Sequence, residues 1–396
     1  MAETNSAVTE LECYSCGSKY SLDVDVGPCR ECGGILDPQY DYDSIEISRD
    51  DWEQRHGSMW KYRELLPIKD SSAIVSMGEG DTPLIECPKI AAELGVDRVY
   101  VKDEGQNPTN TFKDRGQSAA ISAAKERGAT DVALPSAGNA GQAASAYAAR
   151  AGMNCHVYLN HQAGDLKKDL VEAHGAELHL ADGKIGDAAD VFAQDVETHG
   201  YSSVATFKTP FRHEGKKTMG FEVFEDLEWT TPDEIIYPTG GGVGLIGIWK
   251  AYKELQQLGW MNDEPPRMTV AQSEGVAPVV KAIEEEADKH VAWENPESIA
   301  RGVEIPDPGA SPWMLAAVYS SGGAGVTSSD QEAIDAALSM ARTDGIEMCV
   351  TAAVALAGAF KRAEQGGFEE TDEVVIINTG SGCKTAGTLG VHARNQ

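Results

Sequence analysis

Positive charge is what this chain has least of. Its 396 residues carry 33 Lys and Arg against 63 Asp and Glu, a formal net charge of −30 and a pI near 4.6. The average field of such a surface repels polyanions, so nucleic acid and anionic membrane are excluded as partners. No apolar run reaches the roughly 20 residues of a spanning helix, and no cationic, apolar leader opens the chain at Met1-Ala2-Glu3. Internal repeats and low-complexity tracts are also missing. These absences point to a soluble cytoplasmic protein. Its acidic residues are dispersed, as in 281–288 and 368–373, rather than gathered for one cationic partner. Dispersal suits a hydrated surface adapted to high salt, where screening relieves self-repulsion.

What is present begins with length. A chain of 42.3 kDa can build two or three domains with their own cores, and its 41 glycines suit loops that approach a ligand closely. Four of the eight cysteines form Cys13-x-x-Cys16, twelve residues, then Cys29-x-x-Cys32, with Gly17, Gly33 and Gly34 behind them. Two such knuckles can supply four soft thiolates to tetrahedral zinc. With no export signal, disulfides are the weaker explanation. The absence of a further ligand or open position makes this a structural zinc ribbon rather than a catalytic centre. Residues 41–75 read as an acidic linker followed by Trp52, Trp60, Tyr62 and Leu65–Leu66, which pack over the main body.

From residue 76 the pattern is α/β. Strands are expected at 99–101, 131–134 and 155–159, with helices at 113–127 and 139–150 ended by Gly128 and near Gly152. A second series follows: strand 234–237, glycine turn 240–244, helix 245–257, strand 268–272, helix 276–287, helix 351–364 and strand 374–378. Alternation with short crossovers calls for parallel sheets covered on both faces, and the simplest architecture is two α/β lobes with a cleft between them.

Four segments carry chemistry. Asn107-Pro108-Thr109-Asn110-Thr111-Phe112-Lys113 sets one lysine between turn formers and a helix start, where its amine suits an aldehyde cofactor such as pyridoxal phosphate. A solvated lysine near a helix start is the plainer alternative. Ser136-Ala137-Gly138-Asn139-Ala140-Gly141 leads a strand into a helix, and the amides at such a start cradle a carboxylate or phosphate. Asn139 adds a side-chain amide for a ring oxygen, although a small-residue helix cap would look similar. Thr239-Gly240-Gly241-Gly242-Val243-Gly244 repeats this layout with four glycines. It lacks the Gly-Lys-Ser/Thr of a Walker loop and the dinucleotide spacing, so a monophosphate cofactor fits better than ATP or NAD. Thr379-Gly380-Ser381-Gly382 ends the last strand, where open parallel sheets hold ligands; Thr379, then Ser381, is the candidate to face a pyridine nitrogen.

Taken together, these segments resemble the tryptophan-synthase-β-like group of pyridoxal-phosphate enzymes (fold type II), over roughly residues 11–390. Within the group the chain is similar to the threonine synthases, through Gly78-Glu79-Gly80-Asp81-Thr82-Pro83-Leu84, Phe211-Arg212-His213-Glu214-Gly215-Lys216-Lys217-Thr218 and Gln272-Ser273-Glu274-Gly275-Val276-Ala277-Pro278. The resemblance implies a fold type II architecture: two open parallel or mixed-sheet α/β domains flanking a cofactor cleft, plus the N-terminal zinc ribbon. Its boundaries would be 1–40 for tail and ribbon, 41–75 for the linker, 76–112 plus 210–396 for a large cofactor-binding domain, and 113–209 for a small one. It implies Lys113 as the Schiff-base lysine and Asn139 as the ring-oxygen ligand. Gly240, Gly241, Gly242, Val243 and Gly244 match the phosphate loop, and Thr379 the residue at the ring nitrogen. The implied reaction converts O-phospho-L-homoserine and water to L-threonine and phosphate. The substrate is then a small phosphorylated amino acid, with Arg212 and Lys216 for its phosphate. Ser136, Ala137 and Gly138 take its carboxylate, and a homodimer is the family-like assembly.

Departures bear on substrate. Ala137 and Ala140 stand where threonine synthases usually carry hydroxyls, Met348-Cys349-Val350-Thr351-Ala352-Ala353 lacks a common Glu and Ser, and Thr209-Pro210 replaces Asn-Pro. A threonine or serine dehydratase, a cysteate-synthase-like lyase on phosphoserine, and a non-catalytic ligand binder on the same fold remain as alternatives. Of the histidines at 156, 161 and 213, only His213 lies beside the proposed site.

Overall fold

Strands expected at 131–134 and 155–159 are found as Asp131–Pro135 and Asn154–Asn160, paired in parallel as a short helical crossover requires. The computed structural model describes residues 5–22, 27–136, 138–160, 165–181 and 185–395. The chain divides into two units: residues 1–81 with 113–218, and residues 82–112 with 219–396.

In the first unit a four-stranded parallel sheet runs in the order Glu177–Ala181, Asn154–Asn160, Asp131–Pro135, Ser202–Ser203. Val132, Ala133, Leu134, Val157 and Leu159 are buried, as near-continuous apolar strands of a covered parallel sheet must be. A lysine helix (Lys113–Glu126) and an asparagine helix (Asn139–Ala151) pack against each other through small residues such as Ala120, Ala123, Ala144 and Ala148. Gly152, in the left-handed region at φ 72°, ends the second of these where a side chain would strain the turn. Residues 41–75 turn through short helical segments, and Trp52, Tyr62, Leu65 and Leu66 are fully buried. Met59, Trp60, Leu66 and Ile68 join the same core as the helices, each such side chain contributing about 1.5–3 kcal/mol of burial. The ribbon is a small antiparallel sheet, ordered Lys19–Tyr20, Val8–Cys13, Leu36–Tyr40.

The second unit is built on six strands in the order Gly325–Ser328, Arg267–Ser273, Glu234–Pro238, Glu373–Asn378, Arg98–Asp103, Leu84–Glu86. Only the last edge strand is antiparallel, so the sheet is mixed. Glu234–Pro238 is buried along its whole length. The helix expected at 276–287 is shorter, Pro278–Glu284: Pro278 can only open a helix, and Glu286 sits at φ 51°. Among the described residues, no helix is long and apolar enough to cross a membrane.

Candidate active site

Each unit carries its own share of the candidate residues, at helix starts and strand ends. In the second unit, the Asn107 amide donates to Glu104 through its backbone oxygen at 3.0 Å and carboxylate at 2.8 Å, closing the turn. Phe112 N donates to the Thr379 carbonyl at 3.1 Å and Ser381 N to the Asn110 carbonyl at 3.1 Å. The residue just before Lys113 is thus tied to the strand end that carries Thr379. Lys113 then opens the lysine helix of the first unit. It is partly buried, and desolvation together with the charge of Arg212 pulls its ammonium from an ordinary 10.5 to about 7. Near neutrality a large fraction of this amine is uncharged and nucleophilic.

Arg212 and Lys216 lie on the arginine helix (Phe211–Asp226), which crosses the lysine helix at a pair of glycines. A Cβ on Gly116 would overlap Lys216 Nζ and come within 2.8 Å of the Arg212 carbonyl; one on Gly215 would overlap the Arg115 carbonyl. Both cations are fully buried. The Arg212 guanidinium spends Nη1 on the Val204 carbonyl at 2.6 Å, while its Nε and Nη2 have no hydrogen-bond partner among the described residues. Burial pushes its pKa down to about 10. A buried guanidinium with two unused donors is expensive until an anion accepts from it.

The asparagine helix begins at Asn139 after Gly138. Ser136 Oγ accepts from Gly141 N at 2.9 Å and Gly138 N at 3.3 Å, so the serine hydroxyl shapes the loop by using two of its amides. One turn along the lysine helix from Lys113, Gln117 donates to the Ala140 carbonyl at 3.2 Å, and its buried Oε1 has no partner among the described residues. Ala137 and His161 lie outside the described residues.

The glycine loop of the second unit connects Glu234–Pro238 to the helix Val243–Gln257. Gly242 is the N-cap, at φ 74°, and a Cβ there would overlap the Met314 sulfur; one on Gly244 would overlap the Tyr237 hydroxyl. A Cβ on Gly240 would meet the Gly302 carbonyl at 2.8 Å. Gly241 differs, since a Cβ there would meet nothing within 4 Å. Packing therefore accounts for three of the glycines and leaves Gly241 facing open space, as a loop must when its amides receive a phosphate. Thr379 is buried, and Cys349 sits against the same strand end with its N–H on the Gly380 carbonyl at 2.9 Å. Burial raises the Cys349 thiol to about 11, so it is an inert neighbour.

At the ribbon, Cys13 and Cys32 sulfurs are 3.5 Å apart and Cys16 and Cys29 sulfurs 3.6 Å apart, with all four within 4.8 Å. Zn–S bonds of about 2.3 Å set tetrahedral S–S edges of about 3.8 Å, so the four thiols fit that ion. Cysteine spacing alone does not reveal where the ribbon docks. Its strand Leu36–Tyr40 lies on the first turn of the arginine helix: His213 Nε2 is 3.0 Å from the Asp37 carboxylate, Tyr40 donates to Glu214, and Lys217 pairs with Glu214 at 2.6 Å. His213 is engaged by the ribbon. His156 lies on the sheet of the first unit, between Asp131 and His179.

The family described as pyridoxal-phosphate dependent enzyme matches residues 75–380. The chain is 38% identical to the threonine synthase of Methanocaldococcus jannaschii over 376 residues, 94% of this chain and 92% of that protein. It is 36% identical to the threonine synthase of Methanosarcina acetivorans, over 93% of this chain and 91% of that one. Among solved structures, maize serine racemase superposes with a TM-score of 0.68 at 19% identity, covering 79% of this chain and 93% of its own. Threonine deaminase isoform 2 of Solanum lycopersicum gives 0.68 at 21%, over 80% and 84%. At those identities the two structures speak for the fold alone.

Proposed function

The chain belongs to the pyridoxal-phosphate-dependent enzymes, and we propose that its activity is that of a threonine synthase, a lyase converting O-phospho-L-homoserine and water to L-threonine and phosphate. The observation that carries this reading is the buried Arg212, with two guanidinium donors unused, against the lysine helix that Lys113 opens. Pyridoxal phosphate, when bound, supplies an electron-withdrawing ring that stabilises negative charge at the substrate Cα. Lys113 would hold that cofactor, and its amine would also move protons at the substrate Cα and its neighbouring carbons. Its lowered pKa suits both duties near neutral pH. Arg212 takes the substrate phosphate through charge-assisted bonds, with Lys216 adding charge from the next turn.

In the second unit, amides of Gly240, Gly241, Gly242, Val243 and Gly244 would receive the cofactor phosphate, and the Thr379 hydroxyl would serve the ring nitrogen. Asn139 bonds the ring oxygen, while Ser136, Ala137 and Gly138 take the substrate carboxylate. Cys13, Cys16, Cys29 and Cys32 hold a structural zinc, a reading supported by their sulfur spacing. The same proposal includes a cytoplasmic homodimer; the net charge of −30 spread along the chain supports its adaptation to high salt.

The test is a parallel incubation of cofactor-loaded protein with O-phospho-L-homoserine, O-phospho-L-serine and L-threonine, at low and high salt. Threonine and phosphate released one to one from phosphohomoserine is the expected result. A keto acid from threonine, with phosphohomoserine left intact, would replace the proposal with a dehydratase. Cofactor binding without any turnover would replace it with a binding protein.

A further inference from the structure

Away from this site, two histidines and two tyrosine rings crowd one face of the sheet in the first unit. Strands Asn154–Asn160 and Glu177–Ala181 pair in parallel with His156 opposite Glu177 and Tyr158 opposite His179. Side chains two residues apart share a face, so all four project together. His156 Nδ1 and His179 Nε2 approach to 3.2 Å. The Glu177 carboxylate lies 3.4 Å from the first nitrogen and 3.7 Å from the second.

The rings around them are held flat. Tyr201 stacks on His156 with centroids 4.1 Å apart and planes 10° off parallel, and Tyr158 stacks on His179 at 4.5 Å and 11°. Tyr158 is fixed in turn by its hydroxyl on Asp195 at 2.8 Å. On its far side, His156 Nε2 is 3.3 Å from Asp131. Thr130 Oγ1 at 2.6 Å and Asn154 Nδ2 at 2.9 Å donate to the same carboxylate and fix its position. A carboxylate on Nε2 accepts a proton from that side of the ring and leaves Nδ1 facing His179 and Glu177. A carboxylate behind a histidine in this way orients metal ligands.

A proton shared between the two rings would explain the 3.2 Å approach but not the carboxylate beside both nitrogens. A cation explains all three. Ligand bonds of about 2.0–2.1 Å in a tetrahedron set edges of about 3.3 Å, close to the 3.2 Å between the two nitrogens, and the Glu177 carboxylate approaches one nitrogen with Oε2 at 3.4 Å and the other with Oε1 at 3.7 Å. We propose that His156, Glu177 and His179 form a second metal site, distinct from the cysteine ribbon, for a borderline divalent transition ion such as zinc or cobalt. Two imidazoles disfavour magnesium and calcium, which prefer oxygen. His156 is buried while Glu177 is two-thirds exposed, so water completes the shell from the solvent side. The ion would join two neighbouring strands of the sheet and stabilise the first unit by binding only its folded form.

Cobalt titration of the full chain tests this, at high salt to screen loose binding to surface carboxylates. Ribbon cobalt carries thiolate-to-metal charge transfer, whereas cobalt on His156, Glu177 and His179 gives ligand-field bands without it. The expected result is one equivalent of each kind. His179→Ala, and His179→Gln as a variant of similar size, should lose the equivalent without charge transfer and keep the other, and Glu177→Gln should weaken it at least tenfold. Added zinc should raise the Tm of the wild type more than that of either His179 variant. A titration showing only thiolate-bound cobalt, or His179 variants that bind as the wild type does, would overturn the second site and leave the ribbon untouched.

Discussion

The two units present opposite kinds of candidate binding surface. In the first, the crossing of the lysine and arginine helices concentrates buried charge, with Arg212 short of partners and Lys113 drawn to about 7. In the second, residues 240–244 carry no charged side chain, and what distinguishes them is where a side chain would fit. A charged site reveals itself as unsettled electrostatics that a ligand must complete. A backbone site reveals itself as room, and Gly241 is the glycine whose room packing does not explain. Each kind fails differently when altered.

The largest effect is expected at the amine. Lys113→Ala should lower turnover by about 10³-fold or more while the protein still binds cofactor reversibly. Turnover within tenfold of the wild type would end the assignment. Arg212→Gln should reduce kcat/KM for phosphohomoserine by about 100-fold, from the roughly 3 kcal/mol of a truncated buried charge contact. It should also act on Lys113. Only the neutral amine adds to an aldehyde, so cofactor uptake by apoprotein should rise with pH through about 7 and then level off. Removing the Arg212 charge moves that midpoint upward, though not to 10.5, because burial is the larger cause. Inorganic phosphate, by pairing with Arg212, should move it in the same direction. A midpoint indifferent to both would show that the cations do not share one electrostatic environment.

For the chargeless surface the contrast lies between neighbours. Gly242→Ala forces a residue into φ 74° and onto Met314, so the apoprotein should lose about 1–3 kcal/mol and cofactor affinity with it. Gly241→Ala meets open space and should leave apoprotein melting unchanged while cofactor affinity falls about tenfold, near the 1.4 kcal/mol of one lost contact. Equal affinity in Gly241→Ala and wild type would remove the loop from the phosphate.

Much of this was legible in the chain because the elements announce themselves locally. Gly128 and Gly152 mark the ends of the helices Lys113–Glu126 and Asn139–Ala151, and apolar runs mark Asp131–Pro135 and Glu373–Asn378. Lys113, Asn139, the glycine turn and Thr379 stand at element boundaries, where motif and structure coincide. Other features depend on partners far away in sequence. Gly116 and Gly215 look ordinary until the helices cross on them, and the unused donors of Arg212 exist only once Val204 has taken one. The strand Glu177–Ala181 was not anticipated, since its Glu-Leu-His-Leu pattern gains meaning only beside His156 and Tyr158. Ribbon docking spans more than 170 residues, from Asp37 to His213 and Tyr40 to Glu214, and no spacing rule reaches that far.

That docking supplies the smallest and finest test of the contrast. Chelating the ribbon metal should loosen Leu36–Tyr40 and, through Asp37 and Tyr40, the first turn of the arginine helix, without touching the glycine loop of the second unit. Lys217 is held in the same cluster, its ammonium 4.3 Å from the Tyr40 ring, and two residues separate the ribbon's contact at Glu214 from Lys217 itself. The expected signature is a rise of a few-fold in KM for the phosphorylated substrate, with cofactor affinity unchanged. Tyr40→Phe, which removes the hydroxyl from Glu214 and leaves the four cysteines in place, should give a weaker version of the same split, about 1 kcal/mol or fivefold. If metal loss or Tyr40→Phe instead lowered cofactor affinity and KM stayed fixed, the ribbon would act on something other than the charged surface. A shift confined to KM would mean that the metal, far along the chain from Lys113, sets the placement of the arginine helix and so of Arg212 and Lys216, the cations proposed to receive the substrate's phosphate.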